Sequence, residues 1–134
     1  MMEIVKTCRD GKRILVVDDS PTVRMLLCMS LRKMIAASVT EAIHGVDALD
    51  KLQKDHYDLV VTDMNMPLMG GAELVKRIRT ELAQSIPIVI LTTKGEDGDR
   101  DRGLSLGANE YVTKPVDWND LRRKVAKHLY GQAK

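Results

Sequence analysis

Short apolar runs separate longer stretches with helical periodicity along most of this sequence. Three of these runs lack polar alternation: residues 14–17 (ILVV), 59–62 (LVVT) and 86–91 (IPIVIL). Such runs are typical of strands that are buried on both faces, and therefore of a parallel sheet. Weaker runs at 38–42 and 110–113 complete a set of five predicted strands.

Helical periodicity follows the first run. The predicted helix has Ser20 as its N-cap and Pro21 at its first helical position, where both residue types are favoured. Its predicted core-facing side chains, spaced as on one helix face, are Val23, Leu26, Leu27, Leu31 and Met34. Beside them lie Met25 and Met29, which fit a docking surface of adaptable side chains and partly buried flank positions equally well.

Four further helices are predicted along the chain. Three of them cover about 46–54, the residues after Gly70-Gly71 and the residues from Asp117 onward. Their predicted inward side chains are Val46, Leu49 and Leu52, then Leu74, Val75 and Ile78, and then Leu121, Val125 and Leu129. The remaining helix, near 98–106, is weak because each of its two glycines lowers helix propensity by about 1 kcal/mol.

Strand and helix therefore alternate five times. Right-handed crossovers turn this pattern into an α/β fold, a doubly wound parallel sheet with helices on both faces. We expect a single domain over 12–131, preceded by an N-terminal extension at 1–11 and followed by no output domain.

Composition and charge narrow the class of protein. The sequence has 134 residues, 44% of them apolar, which is enough for a core without disulfides. Its net charge of +2 is too small to indicate binding to nucleic acid or to an anionic membrane. The N-terminal residues resemble neither a signal peptide nor a membrane anchor, so a cytoplasmic protein is expected. The two cysteines, Cys8 and Cys28, are expected to be free thiols.

Polar residues stand at the carboxyl ends of the predicted strands. Asp18 and Asp19 follow the first strand, Asp63 the third, Thr92 the fourth and Lys114 the fifth. Ligands of open α/β sheets bind beyond these ends, so we expect the five side chains to share one edge of the molecule.

Three neighbouring carboxylates repel one another unless a cation lies between them. Oxygen ligands with room for water favour Mg²⁺ over zinc or copper. With the cation bound, one carboxylate could attack phosphorus while the lysine and the threonine hold the phosphoryl oxygens.

The chain resembles bacterial response-regulator receiver domains of the CheY type. Four strings carry the resemblance, at 16–20 (VVDDS), 61–67 (VTDMNMP), 91–93 (LTT) and 111–115 (YVTKP). They occur in the family's order and spacing, and the likeness extends over about 12–129. The resemblance implies a flavodoxin-like sheet with strand order 2-1-3-4-5, the order found in CheY.

The resemblance implies a role for each matching acidic residue. Asp63 would accept the phosphoryl group. Asp19 would bind Mg²⁺ directly, Asp18 would assist through water, and Asn65 would give its backbone carbonyl to the metal. Mn²⁺ is expected to substitute for Mg²⁺.

It also implies a switch on the neighbouring strands. Lys114 would pair with the phosphoryl group, and the Lys114-Pro115 bond would be cis. Thr92 would bond a phosphoryl oxygen and move inward, and Tyr111 would change rotamer with it. Asn65 and Lys94 would tune the lifetime of the phosphoryl group.

The implied function is a phosphorylation-dependent signalling switch. A histidine kinase or histidine phosphotransfer domain would donate the phosphoryl group, and self-dephosphorylation would be slow. A protein effector would bind the face formed by the fourth helix, fifth strand and fifth helix, and the chain would be a monomer or a weak phosphorylation-dependent dimer.

We expect segment 95–103 to be mobile, or to begin its helix late, until phosphorylation or a partner orders it. The sequence does not decide between a chemotaxis pathway and a phosphorelay. It also leaves open whether the chain counts as an enzyme, since it would be a Mg²⁺-dependent phosphoacceptor and not a metabolic enzyme.

Two other functions compete with this interpretation. A haloacid-dehalogenase-like phosphatase would need Asp-x-Asp after the first strand, whereas Asp18 and Asp19 are adjacent and Asn65 stands two residues after Asp63. A receiver-like binding module that needs no phosphate would not require the complete set of acidic residues and Lys114. The phosphorylatable switch is therefore the preferred interpretation.

Overall fold

The computed structural model describes residues 12–33, 37–93, 95 and 97–131. Its five strands are β1 (Lys12–Val17), β2 (Ala37–Ala42), β3 (Leu59–Asp63), β4 (Ile88–Thr93) and β5 (Glu110–Lys114). Its five helices are α1 (Pro21–Arg32), α2 (Gly45–Lys54), α3 (Gly71–Thr80), α4 (Asp97–Leu106) and α5 (Trp118–Tyr130). Among the helices of these residues, none has the length and apolar character that a membrane-spanning helix requires.

All strand pairs are parallel, and the strands lie in the order β2-β1-β3-β4-β5. This arrangement confirms the predicted α/β fold and strand order. The register pairs Val17 with Thr62 and Asp63 with Leu91. The carboxyl ends of β1, β3 and β4 therefore lie side by side.

The sheet divides the apolar core into two layers. Along β1, Leu15 and Val17 face the layer formed with α2, α3 and α4, whereas Ile14 and Val16 face the layer formed with α1 and α5. All four side chains are fully buried, as are all residues of β3 from Leu59 to Thr62. Burial on both faces explains why these strands lack polar alternation.

Helix α1 begins as predicted but turns a different face to the core. The Ser20 hydroxyl accepts a hydrogen bond from the Val23 amide at 3.3 Å, which caps the helix. The prediction for Leu26 is wrong, because this side chain is 42% exposed and Cys28 is buried instead. The small apolar thiol lets the helix rest on Leu27, Cys28 and Leu31, a face rotated away from Leu26. Met34 lies outside the described residues.

The other helices follow their patterns with one exception. Val46 is 50% exposed rather than inward, and Ala48 and Leu52 are buried. A Cβ on Gly45 would stand 2.8 Å from Met69, so the start of α2 lies close to the β3–α3 loop, and the helix faces the core through Ala48. The predicted side chains of α3 and α5 are all buried.

Helix α4 begins at Asp97, so the late start predicted for segment 95–103 does not occur. Among its ten described residues, Gly103 alone is buried. A Cβ there would stand 2.5 Å from the Ile90 side chain, so the glycine permits a close approach of α4 to β4. The mobility predicted for this segment stays a prediction.

A half-buried arginine, Arg79, ties the carboxyl end of α4 to the rest of the fold. The Arg79 guanidinium donates to the backbone oxygen of Gly107 from Nε (3.1 Å) and Nη2 (2.8 Å). It also donates to the oxygens of Gln84 (3.0 Å) and Ile86 (2.7 Å), and to Oδ1 of Asn109 (3.0 Å). Burial lowers the pKa of Arg79 because its neighbours are neutral oxygens.

The thiol of Cys28 is free, as predicted, and it is buried, which was not predicted. Burial, with the nearby Glu41 carboxylate, raises its pKa to about 11. The thiol is thus protonated and unreactive at neutral pH. Cys8 and the rest of the predicted extension at 1–11 lie outside the described residues.

The Asp58 carboxylate, directly before β3, should make the free energy of unfolding depend on pH. Burial opposes its ionisation, but hydrogen bonds from the Arg13 amide (2.8 Å) and the His56 ring (3.0 Å) outweigh burial and lower the pKa of Asp58. Its stabilising effect is therefore present above the unfolded-state pKa of about 3.9 and is lost as the pH falls through the folded-state value.

Replacing Asp58 by asparagine should lower the free energy of unfolding by about 1 kcal/mol at pH 7 and by much less at pH 3. Urea denaturation at both pH values measures this difference. Asp55→Asn removes an exposed carboxylate nearby and serves as the control. An equal loss at pH 3 and pH 7 would show that the charge of Asp58 is not what stabilises the fold.

Candidate functional site

Three carboxylates meet at the carboxyl ends of β1 and β3. Ligand oxygens of Asp18, Asp19 and Asp63 all lie within 4.8 Å of one another. Asp18 and Asp63 are 0% and 5% exposed, and Asp19 lies at the surface. The structure thus brings together the acidic residues that the sequence placed at one edge.

One oxygen of Asp18 accepts no hydrogen bond from the described residues. Oδ1 accepts a hydrogen bond from the Ser20 amide at 2.8 Å, but the buried Oδ2 has no hydrogen-bond partner among the described residues. Burial raises the pKa of Asp18, and the charges of Asp63 and Asp19 add to this effect against the opposing Ser20 amide and Lys114. A divalent cation would offset each of these unfavourable contributions, so the donor set fits Mg²⁺.

Lys114 supplies the positive charge on the other side of the cluster. Its Nζ lies 3.0 Å from Asp63 Oδ1 and 3.9 Å from Asp18 Oδ2. The Lys114-Pro115 peptide bond is cis, the isomer that the resemblance implied. Because β5 ends at Lys114, the strand delivers the ammonium group to the acidic edge.

The β3–α3 loop folds back over Asp63. The Met64 amide donates to Leu91 O (3.2 Å), and the Gly71 amide donates to Met64 O (3.0 Å). A Cβ on Gly71 would stand only 2.4 Å from Asp63 O, so no other residue fits there without backbone movement. Asn65 is exposed in this loop, two residues after Asp63. Its role stays a prediction.

Two predicted switch residues lie on the neighbouring strands. Thr92 is 3% exposed and directly follows Leu91, the register partner of Asp63. Tyr111 is half-buried on β5, opposite Ile90. The switch roles of Thr92 and Tyr111 stay predictions. Lys94, the predicted rate-tuning residue, lies outside the described residues.

Sequence reasoning missed three residues around this site. Gly71 was noticed only as part of a loop, because the close backbone approach depends on the folded path of 64–71. Arg100 and Lys124 contact the ring of Tyr111. Lysine and arginine are common on helices, and no sequence signal separates these two residues from the others.

Curated proteins with similar sequences include sensors and chemotaxis proteins. The chain is 42% identical over 113 residues to the sensor protein EvgS of Escherichia coli K12, covering 84% of this chain but only 9% of that protein. It is 39% identical over 115 residues to a chemotaxis protein CheY homologue of Campylobacter jejuni, covering 84% of this chain and 88% of that protein.

Solved structures of similar shape include the receiver domain of a sensor histidine kinase from Pseudomonas aeruginosa, which has a magnesium ion coordinated in its active site cleft. The two structures agree with a TM-score of 0.80 at 29% sequence identity, over 90% of this chain and 98% of that one.

A family model supports the same relationship. The model of the response regulator receiver domain matches residues 14–126, which include every strand and helix found here except the ends of β1 and α5. Receiver domains act in two-component signalling, interact with histidine kinases and downstream effectors, and generally bind Mg²⁺ at an acidic site. Together with the acidic edge and its lysine, this match shows that the chain belongs to the response regulator receiver domain family.

Proposed function

We propose that the chain is a signalling switch that accepts a phosphoryl group on Asp63 in the presence of Mg²⁺ and then changes the partner that it binds. The observation that carries the proposal is the position of the Asp63 carboxylate, 3.0 Å from the Lys114 ammonium and beside two further carboxylates. A magnesium ion in the active site cleft of the Pseudomonas receiver supports the choice of metal.

Residues of this chain would hold the metal and orient the nucleophile. The carboxylates of Asp19 and Asp63 would be metal ligands, with the backbone oxygen of Asn65, and the Asp18 carboxylate would assist through water. When bound, Mg²⁺ would neutralise the negative charge that the approaching phosphoryl oxygens bring to the cluster. The Asp18 carboxylate has its other oxygen fixed by the Ser20 amide, so it enters the site in one orientation.

The transfer itself would be a displacement at phosphorus. An oxygen of Asp63 forms a bond to phosphorus as the bond from phosphorus to the donor, the ring nitrogen of a phosphohistidine, breaks. The Lys114 ammonium, already in contact with Asp63, would stabilise the phosphoryl oxygens as charge shifts. The donor leaves with the bonding electron pair, and Asp63 becomes an acyl phosphate.

The acyl phosphate would bias a rearrangement that pre-exists in the domain. The Thr92 hydroxyl, on the strand beside Asp63, would bond a phosphoryl oxygen, and Tyr111 would change position with it. The surface of α4, β5 and α5 would then present a different shape to an effector protein. Water would slowly hydrolyse the acyl phosphate, at a rate that Asn65 and Lys94 tune.

Phosphorylation with acetyl phosphate tests this function directly. Phos-tag electrophoresis should show a shifted band for the wild type with acetyl phosphate and Mg²⁺, and no shifted band with EDTA or for Asp63→Asn. A shifted band in Asp63→Asn would place the phosphoryl group elsewhere. No shift in the wild type would favour the phosphate-independent binding module.

The donor is proposed to dock on the exposed apolar side of α1. Met25 and Met29 are 53% and 54% exposed, and Leu26 beside them is 42% exposed, so these are surface residues rather than partly buried flank residues. Helix α1 starts at Pro21, two residues after Asp19, so the helix that carries this surface begins beside the acidic site. An apolar surface beside the nucleophile suits a helical histidine phosphotransfer domain.

Polar residues on this surface should slow transfer from a protein donor and spare transfer from a small one. We expect the double substitution Met25→Gln/Met29→Gln to reduce the rate of transfer from a phosphorylated histidine phosphotransfer domain by about tenfold. This corresponds to a rise of about 1.4 kcal/mol in the activation free energy of transfer. Phosphorylation by acetyl phosphate should be unchanged. Val46→Gln, which replaces a 50% exposed apolar residue on α2, is the control. Equal loss with both donors would locate the defect in the chemistry rather than in docking.

A further inference from the structure

The ring of Tyr111 contacts two cationic side chains from different helices. The Arg100 guanidinium carbon, on α4, is 5.4 Å from the centre of the ring, and the Lys124 Nζ, on α5, is 4.9 Å from it. The two helices pack on opposite faces of the sheet. They both reach Tyr111 because β5 is an edge strand.

Each cation is held in place by other contacts. Lys124 Nζ donates to the backbone oxygen of Tyr111 at 2.6 Å and pairs with Asp120 at 3.2 Å. Arg100 pairs with Asp101 at 3.1 Å and lies 3.7 Å from Asp97. Positioned cations attract the negative face of an aromatic ring more effectively than freely moving ones, since less side-chain entropy is lost.

The contact matters more for α4 than for α5. Helix α5 buries three large side chains, whereas Gly103 is the one buried residue among those described in α4. The Arg100 contact to Tyr111 lies in the half of α4 nearer the acidic site. It is a side-chain contact that joins this half of the helix to β5.

We propose that Arg100 and Lys124 clamp Tyr111 in the arrangement that accompanies unmodified Asp63, and that Arg100 is thereby a positioning residue of the switch. This inference rests on the proposed function, in which Tyr111 moves after phosphorylation. The clamp coexists with the direct ion pair between Lys114 and the Asp63 carboxylate, a contact that belongs to the unmodified aspartate. Moving the ring away would break its contact with Arg100, so the clamp opposes the change.

Removing the cation on α4 should ease the change. Beryllofluoride with Mg²⁺ mimics the phosphoryl group, and its apparent dissociation constant can be measured by NMR titration. We expect Arg100→Gln to lower this constant by about two- to fivefold, the range that an exposed cation–π contact gives. Arg100→Lys should remain near the wild-type value because it keeps the positive charge. Arg102→Gln, which removes an exposed cation two residues further along α4, should have no effect.

The ring can also be observed without beryllofluoride. Incorporation of 3-fluorotyrosine labels the three tyrosines, and the ¹⁹F signal lost in Tyr111→Phe belongs to Tyr111. This signal should shift in Arg100→Gln and stay close to its wild-type position in Arg100→Lys and Arg102→Gln. A residue that only stabilised the fold would not produce this charge-dependent pattern.

The outcomes separate the two proposals. An Arg100→Gln variant with an unchanged ¹⁹F signal, or with unchanged or weaker beryllofluoride binding, overturns the clamp while wild-type binding still supports the phosphoryl switch. Absence of beryllofluoride binding in the wild type overturns both.

Discussion

In the Asp18→Asn variant, the free energy of unfolding should depend very little on Mg²⁺. The wild type is expected to gain about 2.7 kcal/mol of stability when free Mg²⁺ is a hundredfold above its dissociation constant. The gain would arise because the cation would offset the charge of a buried carboxylate whose Oδ2 has no hydrogen-bond partner among the described residues. An amide at position 18 carries no charge for the metal, so most of that gain should be lost.

The same variant should be more stable than the wild type when EDTA is present. Asp18 is fully buried beside two other carboxylates, and its removal relieves their mutual repulsion. Urea denaturation with EDTA and with MgCl₂ gives both free energies of unfolding. Asp50→Asn, on an exposed part of α2, is the control for loss of one negative charge. If Asp18→Asn gains as much stability from Mg²⁺ as the wild type does, the acidic cluster is not the metal site.

Gly71→Ala should lower the free energy of unfolding by about 2–3 kcal/mol, because it forces extra volume into a closely packed position. The added Cβ would stand 2.4 Å from Asp63 O and 2.8 Å from Met64 Cα, and backbone atoms cannot move aside as a flexible side chain can. Because the displaced atoms belong to Asp63 and the next residue, phosphorylation by acetyl phosphate should also slow.

Gly98→Ala provides the matched control, since a Cβ at Gly98 meets nothing within 4 Å. On helix propensity alone it should stabilise α4 by up to about 1 kcal/mol. Chemical denaturation of the two variants compares the same substitution with and without a steric conflict. Equal stability changes at 71 and 98 would contradict the close approach between α3 and the end of β3.

The sequence was informative where burial alone decides the structure. Continuous runs such as ILVV at 14–17 identify strands that are covered on both faces, and parallel pairing then brings Asp63 and Lys114 to one edge. The site could be predicted for this reason: a strand end is fixed by a local pattern, and the sheet aligns the ends.

Helix orientation was less predictable. Leu26 and Val46 both match a helical apolar pattern, yet both are exposed, because α1 turns toward Cys28 and α2 toward Ala48. Small residues allow close packing that a pattern of large apolar residues does not reveal. The contacts of Arg100 with Tyr111 depend on how α4 lies against an edge strand, and this is a tertiary feature without a local signal.

The hydrogen bonds of Arg79 affect how motion could pass along α4. They hold Gly107, just after the helix, while the start of the helix at Asp97 lies near the acidic edge. If α4 tilts as a rigid body, we expect this held end to be the fulcrum, with the helix as a lever about 15 Å long. A tilt of about 10° around that fulcrum would carry the end near Asp97 through about 2.5 Å, by the same helical rise. A small displacement beside Asp63 would thus reach the outer surface as a change of angle.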